Sequence, residues 1–121
     1  MPHIVIDYSD NLAERPDFQA LFAQLHAALH ALGDVQLEEI RSRANRLLDW
    51  RVGDGDPNRA FIHVKLHLLD SRPLNFKRRA VAAVKPIVAA YFAATLAERA
   101  CQICFEVVDI RADCYEKIVS H

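Results

Sequence analysis

Between Phe61 and Leu69 every second position is apolar: Ile62, Val64, Leu66 and Leu68 alternate with His63, Lys65 and His67. Side chains on an extended strand point to opposite faces in turn, so this alternation predicts a strand with one buried and one wet face. A sheet built around such a strand needs a cover for its apolar side. Two segments with helical spacing can supply it. Pro16 suits a helix start, and Phe18, Leu21, Phe22, Leu25, Ala28, Leu29 and Leu32 follow until Gly33 offers a stop. A longer helix is expected from about Leu74 to Arg99, with Val81, Val84, Val88, Tyr91, Thr95 and Leu96 as its inner stripe. Pro86 lies inside it, removing one backbone hydrogen bond, which predicts a kink near Ala82 to Pro86.

Three further strands complete the pattern. His3 to Tyr8 alternates and starts almost at the chain's first residue. A second strand region spans Glu39 to Val52, and Ile103 to Ile110 reads as the fourth strand. The turn-rich Gly53-Asp54-Gly55-Asp56-Pro57-Asn58 separates the second from the third. After Ile110 a short turn or helix is expected. The order is β-α-β-β-α-β, and its halves are alike: Arg15-Pro16-Asp17-Phe18 opens the first helix as Arg72-Pro73-Leu74-Asn75-Phe76 opens the second, an offset of 57 to 58 residues. The expected fold is therefore α+β, with two β-α-β units forming a four-stranded mixed sheet and two helices on one face. A length of 121 residues suits one domain, 1–121. In the register of the halves Pro2 corresponds to Ala60, so the two units are not chemically equivalent. The same element order also suits a ferredoxin-like binding module, which would place the third strand between the first and second.

A formal net charge of -1 gives no global field for nucleic acid or an anionic membrane, which points to small partners. No apolar run approaches a membrane span, and Met1-Pro2-His3-Ile4 lacks a signal-peptide pattern, so a cytoplasmic protein is expected. Three cysteines, an odd number, argue for reduced thiols. Cys101-Gln102-Ile103-Cys104 has zinc-like or redox-like spacing that Cys114 and His121 could complete, but a second close pair is missing. The pairs His26/His30 and His63/His67 are each four apart, without a third ligand in register. No metal or other cofactor is expected.

Pro2 is the most consequential residue. Aminopeptidases remove an initial methionine readily when a small residue follows. An internal proline nitrogen is an amide without basicity, whereas a terminal one is a secondary amine. Partial burial or nearby cations would disfavour its ammonium form and bring its pKa toward a working general base. Arg41 and Arg43 stand two apart on a predicted strand and share a face, and Arg72 stands just before the second helix. Such guanidinium groups can hold carboxylates and stabilise an enolate. Lys77-Arg78-Arg79, in contrast, reads as a wet helix face, since cations oppose the dipole at a helix start.

Several segments carry a resemblance: Pro2-His3-Ile4-Val5-Ile6, Tyr8-Ser9-Asp10-Asn11, Leu21-Phe22, Ile40-Arg41-Ser42-Arg43, Ala60-Phe61-Ile62-His63-Val64 and Phe105-Glu106. Together they are similar to the 5-carboxymethyl-2-hydroxymuconate isomerases of the tautomerase superfamily. The resemblance implies a homotrimer with active sites at subunit interfaces, no metal, and isomerisation of a small anionic dicarboxylate or tricarboxylate dienol in homoprotocatechuate breakdown. It places the catalytic proline on Pro2 and the substrate-binding arginines on Arg41 and Arg72. Other proline-dependent reactions of the superfamily, on a different enol or by hydration or decarboxylation, use the same base. A zinc or redox protein built on Cys101 and Cys104 is a further alternative.

Overall fold

The structure is a computed structural model that describes residues 1–120; His121, and with it a Cys114–His121 ligand set, lies outside the described residues. Its strands are β1 (His3–Ser9), β2 (Arg41–Leu47), β3 (Arg59–Leu69) and β4 (Ala100–Ile110), and its helices α1 (Phe18–His30), α2 (Leu74–Tyr91) and α3 (Ala93–Glu98). Short 3-10 turns at Leu37–Glu39 and Ala112–Cys114 precede β2 and follow β4. The strands form one mixed sheet in the order β2-β1-β3-β4. Within each β-α-β unit the strands pair in parallel, β1 with β2 and β3 with β4, and the units meet through antiparallel β1 and β3. Because each pair stays adjacent, the ferredoxin-like order is excluded.

The alternation along β3 does what the sequence predicts. Ile62, Val64, Leu66 and Leu68 are buried, opposite Ile4 and Ile6 of β1 on the same face. Leu21, Leu25 and Leu29 of α1 and Phe76, Ala80, Val84 and Val88 of α2 close over them in one core. Fully burying one such aliphatic side chain stabilises by about 1.5–3 kcal/mol, so the two-layer contact dominates the fold's stability. α1 begins at Asp17, whose carboxylate accepts from Ala20 N at 3.1 Å. It gives way to Gly33 and Asp34, both left-handed at φ 89° and 57°. Glycine tolerates that conformation freely and aspartate better than most residues.

Three expectations are corrected. The second strand is shorter than Glu39 to Val52, because the 3-10 turn takes Glu39 and the chain after Leu47 leaves the sheet into a loop with Leu48 exposed. The second helix is not one rod to Arg99. It runs on through Pro86 to Tyr91 and breaks at Phe92 (φ -101°, ψ 28°) before α3. Pro86 and Ala82, whose carbonyl loses its donor, both lie on the exposed side, where water can replace the missing bond. The inner stripe is correspondingly different. Phe76, Ala80, Val84, Val88 and Phe92 form the buried row with Thr95, while Val81 and Tyr91 are half-buried and Leu96 is exposed.

The opposite face of the sheet carries no helix. Across it run Arg41, Arg43 and Asn45 of β2, His3, Val5 and Asp7 of β1, His67, Lys65 and His63 of β3, then Glu106 and Cys104 of β4. Polar pairs lace it together. Lys65 Nζ lies 3.2 Å from Asp7, Asn45 donates to Asp7 at 2.8 Å, and His63 lies 2.7 Å from Glu106.

Candidate active site

Antiparallel pairing of β1 with β3 brings the start of one beside the end of the other, His3 opposite His67. The chain's first residues therefore lie next to the turn that leads from β3 into α2, which carries Arg72. Parallel pairing with β2 adds Arg41 opposite His3. Three residues far apart in sequence thus meet at one end of the sheet.

Pro2 is buried, and its carbonyl accepts from Arg41 N at 3.1 Å. The Arg41 side chain is exposed and donates to the Glu39 carbonyl at 2.9 Å. Arg72 is half-buried, held by a 2.7 Å hydrogen bond to the carbonyl of Asp34 and by its guanidinium carbon 4.3 Å from the centre of the Phe76 ring. The left-handed Gly33-Asp34 turn thereby has a second role, because it presents the carbonyl that orients Arg72. With Met1 in place the Pro2 nitrogen is an amide, and the terminal amine belongs to Met1. Burial, then Arg72, Lys117 and Arg41, push that amine below its ordinary range, against Glu39, which raises it. Both sequence-predicted arginines are therefore within electrostatic reach of the amine that precedes Pro2.

Arg43 points elsewhere. Its Nη1 donates to His3 Nδ1 at 3.3 Å, leaving the ring proton on Nε2, which lies 3.1 Å from the Tyr115 hydroxyl. Burial, then Arg43 and Arg41, lower the His3 pKa. Two participants had no local signal in the sequence. Lys117, in the segment after β4, reaches back so that its Nζ lies 3.0 and 3.3 Å from the Glu39 carboxylate oxygens and 3.6 Å from Met1 Sδ. Glu39 reads in sequence as one acid of a pair.

The remaining candidates disperse. Cys101 and Cys104 are three apart on a strand and point to opposite faces of the sheet, so they cannot share a metal or a disulfide. Burial pushes the Cys101 thiol up, away from reactivity. His26 bonds Ser42 Oγ at 2.6 Å and His30 the Val35 carbonyl at 2.6 Å. Lys77 pairs with Asp109 at 2.7 Å. Among the described residues no group of three or more His, Cys, Asp or Glu is placed to hold a metal ion. A cleft of about 700 Å³ is at the other end of the sheet, between Arg59, Phe61, His63, Cys101, Gln102 and Glu106. Its arginine is paired, Arg59 with Asp54 at 2.7 Å, whereas neither Arg41 nor Arg72 beside Pro2 bonds a carboxylate.

The sequence model of the 5-carboxymethyl-2-hydroxymuconate isomerase family matches residues 2–118. The chain belongs to that family. This isomerase is 31% identical over 110 residues to the 5-carboxymethyl-2-hydroxymuconate Delta-isomerase of Escherichia coli, covering 91% of this chain and 87% of that one. A solved 5-carboxymethyl-2-hydroxymuconate isomerase from Deinococcus radiodurans R1 superposes with a TM-score of 0.88 at 29% identity, over 97% of this chain and 88% of that one. A solved 5-carboxymethyl-2-hydroxymuconate delta-isomerase shares the fold at a TM-score of 0.84 and 24% identity, over 99% and 89% of the two chains. The isomerase accordingly has the tautomerase-superfamily fold, and no helix among its described residues is long and apolar enough to cross a membrane.

Proposed function

We propose that the isomerase converts 5-carboxymethyl-2-hydroxymuconate to its 2-oxo-3-ene isomer through the amine of Pro2, exposed by loss of Met1. The observation that carries this reading is the meeting of Pro2, Arg41 and Arg72 at one end of the sheet, around a terminal amine, that of Met1, whose pKa burial and Arg72 lower. Neutral Pro2 takes the 2-hydroxyl proton. The electron pair moves through the conjugated system, leaving a 2-oxo group and a 3-ene. The prolyl ammonium then delivers its proton to C5, which restores the amine. No atom or electron is gained or lost, so the step requires no cofactor. Negative charge builds on the dienolate, where preorganised guanidinium donors stabilise the transition state more than the substrate. Arg72 is the better oriented, since its second face is already held by Asp34 and Phe76.

We further infer a single-domain, cytoplasmic homotrimer acting in homoprotocatechuate breakdown. Support for the trimer is the polar, half-buried sheet face with no helix over it, together with the same fold in a fused 4-OT that forms a symmetric trimer, at 15% identity and a TM-score of 0.63. Neighbouring subunits on that face would cover the Pro2 end and exclude water from it.

An ultraviolet assay of 5-carboxymethyl-2-hydroxymuconate isomerisation, with intact mass to verify loss of Met1, tests the reading. Pro2→Ala is expected to lose about 100-fold in kcat, the low part of the general-base range, because alanine's own primary amine retains some basicity. Turnover by Pro2→Ala equal to wild type would overturn it.

A further inference from the structure

Resting on that reading, we infer that Lys117 binds the substrate's third carboxylate, the one on the carboxymethyl arm, and so sets selectivity for the tricarboxylate over plain 2-hydroxymuconate. A 5-carboxymethyl-2-hydroxymuconate carries three carboxylates, and a guanidinium fork is matched to one carboxylate at a time. Arg41 and Arg72 account for two. Besides Arg41 and Arg72, Lys117 is the cation that acts on the terminal amine, with Nζ 3.6 Å from Met1 Sδ. Met1 is the residue whose removal frees the base, so its departure also opens the space between Lys117 and Pro2.

The placement of Lys117 is fixed from two sides. Two residues earlier, the Tyr115 hydroxyl bonds His3 Nε2 at 3.1 Å, and the two rings meet edge to face at 84°. This pins the C-terminal segment across the beginning of β1. On the other side the Glu39 carboxylate holds the ammonium at 3.0 and 3.3 Å, in a pair whose lysine side chain remains 46% accessible. An ammonium has three donors and Glu39 does not use them all, so the group can accept a second anion without leaving its anchor. Glu39 is in this account a positioning residue. A cleft of about 360 Å³ opens beside it, between Arg41 and the segment from Lys117 to Ser120. Lysine suits this position better than it would suit the enolate, because an arm carboxylate on a flexible CH₂ requires charge rather than a planar fork.

The test is steady-state kinetics of Met1-processed wild type, Lys117→Met, Lys117→Arg and Tyr115→Phe on 5-carboxymethyl-2-hydroxymuconate and on 2-hydroxymuconate. Lys117→Met is expected to raise KM for the tricarboxylate roughly tenfold, the size of one partly exposed charge-assisted bond, with kcat within about twofold. KM for the dicarboxylate should move less than about twofold. Lys117→Arg should recover most of the loss, and Tyr115→Phe, which removes one of the two contacts that place Lys117, should shift the same KM ratio in the same direction by less than Lys117→Met does. An equal effect of Lys117→Met on both substrates would mean that Lys117 only packs the segment down, and no effect on either would mean that it does not meet substrate; both overturn the inference. Wild type inactive on both substrates would instead bring down the proposed function, and this inference with it.

Discussion

The two ends of the sheet are alike in strand pairing and differ in charge. At one end stand Pro2, Arg41 and Arg72. In the second half the same places are taken by Ala60, by Gln102, which faces Phe61 as Arg41 faces His3, and by Arg15. Ala60 is an internal amide, buried and paired with Cys101 of β4. Gln102 carries no charge, and Arg59 is paired with the Asp54 carboxylate at 2.7 Å. The larger cleft is here, yet chemistry is proposed at the other end. A duplicated β-α-β fold offers two equivalent frames. What separates them is a terminal amine and three cations with only one carboxylate among them. Cavity size decides less than the supply of groups that can move a proton or hold an anion.

Blocking the amine should break the comparison outright. A form retaining Met1, verified by mass, is expected to lose at least about 1000-fold in kcat, since an amide nitrogen accepts no proton and the two ends become equally inert. Removing the arginines tests the ends against each other. Arg72→Ala should reduce kcat/KM by about 100-fold, the upper range for a charge-assisted bidentate contact, while Arg15→Ala should change it less than about twofold. Gly33→Ala is a smaller perturbation. At φ 89° nothing crowds an added Cβ, so the cost is backbone strain alone, about 1 kcal/mol in chemical denaturation. Loosening the Asp34 carbonyl that orients Arg72 should raise KM a few-fold. The least effect is expected from Gln102→Arg, which restores a guanidinium at the Ala60 end and should leave turnover within about twofold of wild type.

The alternation in β3 and β1 and the apolar spacing of α1 were legible because each is a local pattern answering to one buried face. The break at Phe92 was not. Phe92 is itself a core residue, and neither glycine nor proline marks the place. Pro86, a strong local breaker, lies inside α2 on the side of the helix that meets water. Pro2, Arg41 and Arg72 came from the order of elements and from resemblance, and their meeting depends on antiparallel pairing of β1 with β3, which no short window of sequence encodes. Lys117 and Glu39 were invisible for the same reason. The segment after Ile110 has no periodicity, and its contact with Glu39 joins residues 78 positions apart.

The direct test of the central claim is the titration of the Pro2 amine itself. With ¹⁵N-proline labelling only one of the 5 prolines can titrate in the processed chain, and its midpoint can be set beside the acid limb of kcat/KM. Because burial and Arg72 lower the pKa of the Met1 amine at this place, the Pro2 amine, once exposed there, should titrate below the ordinary range of an N-terminal prolyl amine. Activity should rise with pH through that same midpoint, as the amine becomes neutral. Replacing Arg72 by Met should move both midpoints to higher pH together, and Glu39→Gln should move both lower. A Pro2 amine that titrates in the ordinary range, or an acid limb that stays put while the amine moves, would contradict the assignment of Pro2 as the base.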